Sequence, residues 1–272
     1  MALSHVPGSG PVSLERVAAG EVNETWRVAR GGTEYALRLA VPGAADLGLD
    51  RHWECRVLRA AAAAGLAPAL ERCAPDAGVL VMRWRHGARW TCKEAQDPQR
   101  LERMADLVRR IQTCSPAPPL RSMSVEDWLV HYGDRLDARG AALSRHPLLR
   151  AQGATLAAQR LALAGLPACE PVLCHGDLHR DNLIDGADGL LLIDWEYAHL
   201  ADPLWDLAGW SSSNDLAPAQ AHRLLHAYLG RTPDAPSEAR LKILRWMYEY
   251  MCLLWALLTG ASDQAGGSEP ET

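Results

Sequence analysis

An α+β fold in two lobes is predicted, with a mainly antiparallel sheet and one helix over residues 1–86 and a mainly helical lobe over residues 87–272. Three observations carry this expectation. Before residue 87 the apolar residues fall in short alternating runs broken by glycine, which is the period of half-buried strands. After it they recur every three to four positions over long stretches, the period of helices packed on a core. Among those helical stretches lies one short hairpin signal, Leu183 to Ile193, with Asp185-Gly186 in its turn.

Taken in order, residues 1–12 read as a lead-in, followed by a hairpin of Trp26 to Arg30 and Tyr35 to Leu39 with Gly31-Gly32 at its tip. Ahead of it, Ala18 to Thr25 is a small-residue loop between strands, open enough to bring backbone amides close to a phosphate. Leu49 to Ala64 fits a helix that holds Glu54 and stops at Gly65, and Gly78 to Trp84 fits a strand leading to the connection His86-Gly87. Helices are expected over Pro98–Thr113, Val125–Arg139 and Leu148–Ala164, then over Asp202–Ser213, Pro218–Leu229 and Glu238–Leu258. The Gly/Ser/Glu tail from Ala265 is expected to be disordered, and no internal repeat is present.

Composition narrows the function. A chain of 272 residues with 48% hydrophobic and 22% charged content can bury a sizeable core. A net charge of −5 gives no footprint for nucleic acid or an anionic membrane, so a small-molecule partner is expected. The start, MALSHVPGSGPVS, has no basic region or apolar run of a signal peptide. The apolar run Met251 to Leu258 falls far short of the roughly 20 residues that span a bilayer. Seven cysteines without a CxxC pair suggest neither a disulfide framework nor a zinc ribbon, and a reducing cytoplasm is the expected location. Ten Trp stand beside no Phe, and lysine is confined to Lys93 and Lys242, a bias that a GC-rich genome accounts for without any function.

The chemistry-bearing stretch is His175-Gly176-Asp177-Leu178-His179-Arg180-Asp181-Asn182, followed by Asp194 at the end of the apolar run Leu191-Leu192-Ile193. The hairpin between them would fold Asp194 back beside Asn182. A hydroxyl attacking a γ-phosphate needs an orienting carboxylate and oxygen ligands for Mg2+; Asp177, Asn182 and Asp194 match that requirement in type, order and spacing. A zinc pair of His175 and His179 would need a helix, and Gly176 after the strand-like Val172-Leu173-Cys174 argues against one.

On these residues the sequence resembles the choline/ethanolamine kinase and aminoglycoside phosphotransferase superfamily, distant relatives of protein kinases. HGDLHRDN is similar to that group's catalytic loop, and Ile193-Asp194-Trp195-Glu196-Tyr197 to its metal-binding segment, within a likeness running from about Ala19 to Trp255. The resemblance implies a bilobal protein-kinase-like fold, with ATP and Mg2+ bound by the N-terminal lobe and the catalytic loop. It implies Asp177 as the catalytic base or orienting carboxylate, Asn182 and Asp194 as Mg2+ ligands, and His175 and Asp206 as structural supports. It implies Arg38 as the third-strand cation paired with Glu54, and Gly20 and Asn23 in the loop over the phosphates. Protein kinases carry Lys where Arg38 stands; a guanidinium keeps the charge and adds bidentate contacts, although Arg38 also fits a surface position on an edge strand. Adenine would pack near Met82 to His86.

Choline and thiamine each carry a permanent cation without a hydrogen-bond donor, so aromatic faces and carboxylates are the means of holding them. Glu196, Tyr197, Trp210, Trp246, Tyr250 and Trp255 are the acceptor-side candidates, with Trp246, Tyr250 and, less well, Trp255 near one face of the last helix. Each aromatic also fits a core position in a chain without Phe. Choline kinases typically show two Trp three apart where this chain has Cys252 and Trp255, so half of that cage is missing and thiamine stands beside choline as acceptor. Aminoglycosides or sugars rank lower, because the last helices offer few carboxylates: Asp215, Asp234, Glu238 and Glu249. An inactive, kinase-like ligand-binding module is the non-enzyme alternative, although its usual sign, loss of the base or a metal ligand, is not seen.

Overall fold

The computed structural model describes residues 2–20, 22–41, 47–139 and 147–260. Glu21 of the small-residue loop and the tail from Ala265 lie outside the described residues.

Strands β1 (Val12–Ala19), β2 (Asn23–Arg30), β3 (Thr33–Ala40), β4 (Leu70–Ala74) and β5 (Val79–Arg83) form one antiparallel sheet in the order β1-β2-β3-β5-β4. Gly31 and Gly32, at φ 57° and 76°, make the two-residue turn that pairs Arg30 with Thr33. Central β3 alternates as a strand covered on both faces must. Tyr35 and Leu37 bury against Val6, Val28, Val79 and Val81, while Ala36 and Arg38 face the opposite side and line a cleft.

Helix α1 (Arg51–Ala63) starts where Asp50 accepts from the Trp53 amide at 2.9 Å, and Gly65 at φ 66° follows its end. Its inner face buries Trp53, Val57, Leu58 and Ala61 in a core shared with the C-terminal half. Trp53 is fully buried, and its Nε1 donates to the Ala198 carbonyl at 2.6 Å, tying the helix to the second half. The expectation of no disulfide is corrected here: Cys55 on α1 and Cys73 on β4 are joined, their Cα atoms 5.9 Å apart. Their separation of 18 residues is no motif; only the packing of α1 against β4 brings them together.

The remaining helices are α2 (Cys92–Ala95), α3 (Pro98–Gln112), α4 (Val125–Ala138), α5 (Pro147–Ala164), α6 (Trp205–Ser213), α7 (Pro218–Leu229) and α8 (Ala235–Thr259). Asp97, Ser124 and Asp234 cap α3, α4 and α8. The stripe Leu101, Met104, Ala105, Val108 and Ile111 sets α3 into the main core, and α8 packs against both α6 and α4. Trp53, Trp128, Trp195, Trp205 and Trp210 are fully buried and fill the volume that Phe fills in other proteins. Two short ribbons interrupt the helices: β6 (Val172–Cys174) with β9 (His199–Ala201), and the hairpin β7 (Leu183–Gly186) with β8 (Gly189–Leu192). Among the described residues no helix is long and apolar enough to cross a membrane.

Trp53→Ala should cost about 3–5 kcal/mol of unfolding free energy by leaving a large cavity, and Trp53→Phe about 1–2 kcal/mol for the lost bond to Ala198. Urea denaturation checks both; equal losses for the two variants would assign the whole effect to the hydrogen bond.

Candidate active site

Two backbone devices bring the polar residues together. In the β7–β8 hairpin Leu183 pairs with Leu192, and the Ile193 amide donates to the Asn182 carbonyl at 3.0 Å, which sets Asn182 beside the segment carrying Asp194. In the loop after β6, the His175 and Gly176 amides donate to the two carboxylate oxygens of Asp206, at 2.8 and 3.0 Å. Asp206 is 1% exposed, and burial pushes its pKa up to about 6 against those two bonds. Gly176 has φ 83°, and a Cβ there would stand 2.2 Å from the Tyr197 carbonyl oxygen, so the two backbones cross where only glycine fits.

The His175 ring lies on Trp195 with centroids 4.7 Å apart, and its Nε2 donates to the Ile193 carbonyl at 3.0 Å. Burial lowers its pKa to about 4, so it is neutral and ties the loop to the β8 end. Asp177 accepts from the Asn182 amide at 3.1 Å and lies 3.4 Å from the His179 ring and 3.5 Å from the Tyr248 hydroxyl. Burial pushes Asp177 up, but the His179 ring and Asn182 outweigh it and hold the carboxyl below its ordinary range. It is therefore an ionised acceptor at neutral pH.

Asp194 takes a left-handed backbone, φ 64° and ψ 58°, a strained conformation for a non-glycine residue. Arg38, 8% exposed, reaches it at 2.8 Å through Nη1 and binds Glu54 through Nη2. Glu196, 3% exposed, accepts from Asn23 at 2.6 Å and from Arg51 at 2.6 Å, with Arg38 at 3.6 Å. Arg51 also reaches Glu54 at 2.9 Å and the Asn23 side-chain oxygen at 2.9 Å. Two arginines thus face the three carboxylates of Glu54, Asp194 and Glu196. Burial, then the Glu196 carboxylate, pushes Asp194 up to about 7, although its side chain keeps 36% of its surface open to the cleft. A site short of positive charge is one that a cation completes.

Among the described residues no trio of His, Cys, Asp and Glu forms a metal cage. Asn182 and Asp194 are instead an incomplete oxygen set, of the kind Mg2+ takes when phosphates and water supply its other ligands. Both line a cleft of about 540 Å³. One part of that cleft is apolar, with Val17, Ala36, Pro68, Met82 and Ile184, beside the connection Arg83 to Gly87. Gly20, Asn23, Arg38, Asp177, Glu196, Tyr197 and Trp255 also line it. The Trp255 Nε1 donates to the Tyr197 hydroxyl at 2.8 Å.

The structure therefore gathers Gly20, Asn23, Arg38, Asp177, Asn182, Asp194, Glu196, Tyr197 and Trp255 around one cleft, with Glu54, His175 and Asp206 behind it. Three acceptor candidates lie elsewhere. Trp210 is fully buried, edge-on to Trp90. Trp246 and Tyr250 stack on each other with rings 5.5 Å apart, against the α4–α5–α8 core. The shared face expected for Trp255 fails for a helical reason: it comes nine positions after Trp246, about two and a half turns at 3.6 residues per turn, which puts it on the opposite side. Sequence pattern named His179 only as a zinc ligand, counted Tyr248 only among the aromatics of the last third, and did not single out Arg51. Arg51 had one visible signal, its position three residues before Glu54 on the same helix; its other partners are distant in the chain.

Comparison with known proteins is consistent with this geometry. The sequence model of the family described as "Phosphotransferase enzyme family" matches residues 13–242. Protein LicA of Haemophilus influenzae is 35% identical over 88 residues, which is 30% of this chain and 33% of that protein. Thiamine kinase of Escherichia coli is 37% identical over 73 residues, 26% of this chain and 25% of that protein. The matched part thus spans a third or less of either relative's length. The crystal structure of choline kinase LicA from Streptococcus pneumoniae superposes with a TM-score of 0.76, covering 98% of this chain and 90% of that one at 19% identity, a likeness of fold.

A carboxylate whose pKa is raised by folding destabilises the fold above that pKa and ceases to do so below its unfolded value, about 3.9 for Asp. Asp194, raised to about 7, should therefore make the metal-free protein less stable at pH 8 than at pH 5. Asp194→Asn should raise the melting temperature at pH 8 and lose that advantage toward pH 4. A gain of the same size at both pH values would show that ionisation is not its source.

Proposed function

The chain belongs to the phosphotransferase enzyme family, and on that premise we propose that it moves the γ-phosphate of ATP to the hydroxyl of a small, cationic alcohol such as choline. The observation that carries this is the meeting of Asp177, Asn182 and Asp194 on one cleft that also has an apolar part beside the connection at residues 83–87. Residues 1–86 form the nucleotide-binding lobe and residues 87–272 the lobe with the catalytic loop and acceptor site.

Asn182 and Asp194 hold Mg2+, which supplies the positive charge that the γ-phosphate and its transition state require. Asp177 accepts the hydrogen bond of the acceptor hydroxyl and aims its oxygen at the phosphorus. Its low pKa suits an orienting acceptor in a loose transition state better than early removal of the proton. Arg38, fixed by Glu54, places a charge beside the phosphates. Gly20 and the loop to Asn23 cover them, leaving room for backbone amides.

On the acceptor side, Tyr197 and Trp255 are hydrogen-bonded to each other and lie on the same cleft as Asp177, where aromatic faces can meet a quaternary nitrogen. Of the four carboxylates of the last helices three are engaged away from it, since Asp234 caps α8, Glu238 meets His222, and Glu249 meets Arg245 and Ser212, and Asp215 does not line the cleft. The carboxylates that do line the cleft, Asp177, Asp181, Asp194 and Glu196, gather at the centre that metal and phosphates would occupy, so few remain as counter-charges for a polycationic aminoglycoside, which favours a monocation. Thiamine is the second reading, supported by the matched segment of thiamine kinase.

The test is ATP turnover in Mg2+ with choline, ethanolamine, thiamine and kanamycin as acceptors. Asp177→Asn should lower turnover by about 10²–10⁴-fold while Mg-ATP binding, followed by calorimetry, stays near wild type. Near-normal turnover in that variant would end the role given to Asp177, and tight Mg-ATP binding with no phosphorylated acceptor would favour a ligand-binding module.

Trp255→Ala should raise the acceptor KM by about 5–30-fold, the loss of one cation–π contact, with little change for ATP. A matching rise for both substrates would mean that Trp255 serves packing alone.

A further inference from the structure

We propose that Arg51 is a positioning residue for phosphoryl transfer, holding the phosphate loop and the metal-facing segment in one unit; this rests on the kinase reading above. Arg51 is the first residue of α1, and its side chain is 15% exposed. Its guanidinium spans three separate pieces of chain. Nη1 meets Glu54 on its own helix at 2.9 Å and Glu196 at 2.6 Å, and Nη2 donates to the Asn23 side-chain oxygen at 2.9 Å. Asn23 in turn donates to the same Glu196 oxygen at 2.6 Å, so Arg51, Asn23 and Glu196 form a closed ring.

Arg38 cannot replace Arg51 in this ring. Its nitrogens are committed to Glu54 and Asp194, and it approaches Glu196 only to 3.6 Å. Without Arg51, one cation would face Glu54, Asp194 and Glu196. Glu196, nearly fully buried two residues from Asp194, would then be an under-compensated charge free to turn toward the metal ligands or repel them. The Asn23 side-chain oxygen would lose its donor and, with it, the tie between the phosphate loop and α1. A guanidinium serves both partners because its planar fork presents two directed donors, whereas an ammonium presents a point charge. Lysine at this position would therefore keep the charge toward Glu196 and lose the fork toward Asn23.

The experiment follows binding of a non-hydrolysable ATP analogue by calorimetry over a range of Mg2+ concentrations, with thermal unfolding of the metal-free protein in parallel. Arg51→Met should weaken Mg-nucleotide binding by about tenfold or more and shift its Mg2+ dependence to higher concentration. Arg51→Lys should recover part of the affinity. Adding Glu196→Gln to Arg51→Met should restore melting temperature lost in the single variant, since it removes the charge left without a partner; a merely space-filling arginine predicts no such rescue. Wild-type affinity and Mg2+ dependence in Arg51→Met, or in Arg51→Lys should the Met variant not fold, would overturn the inference while leaving the kinase reading intact. Wild-type protein that binds no Mg-nucleotide would overturn both.

Discussion

A buried guanidinium cannot shed its proton, and that constraint organises the centre of this molecule. Arg38 sits on the central strand with almost no exposure, so its surroundings must supply negative charge and hydrogen-bond acceptors on every side. Glu54 does so from α1, Asp194 from the end of the β7–β8 hairpin, and Glu196 from farther away. The sheet, the helix and the C-terminal half are thereby brought to one point. The carboxylates then exceed the cations, and the excess is directed into the cleft through Asp194.

The meeting of Asp177, Asn182 and Asp194 was legible in the sequence because it is local. Asp177 and Asn182 share one loop, and a four-residue strand, a tight turn and another strand of equal length return the chain to Asp194. Alternation and glycine turns likewise revealed β2, β3 and β5, and three-to-four periodicity revealed the long helices to within a few residues. What stayed hidden depends on contacts between distant segments. No pattern marks Arg51 as the partner of Glu196 or joins Cys55 to Cys73, since those pairings exist only after α1 has packed.

The aromatic residues show the same division at finer scale. Trp246, Tyr250 and Trp255 all lie on α8 and all pack against the α4–α5–α8 core, yet helical phase stacks the first two on each other and turns the third to the cleft beside Tyr197. Trp210 sits on α6 only four residues after Asp206, but the turn that aims Asp206 at the catalytic loop carries Trp210 into the core against Trp90. Counting aromatics therefore overestimates the acceptor wall, and phase corrects the count.

At Gly176 the loop that carries Asp177 meets the Tyr197 carbonyl backbone to backbone, with no side chain between them. Any side chain at position 176 would therefore push the loop that carries Asp177 away from the segment that carries Asp194 and Glu196. Trp255, by contrast, projects from helix α8 and lines the cleft with its own side chain, donating to the Tyr197 hydroxyl. The Asp177 side of the cleft is thus set by a backbone contact, and the α8 side by a side chain. A substitution at Trp255 on α8 can alter the wall of the cleft without touching the backbone crossing at Gly176.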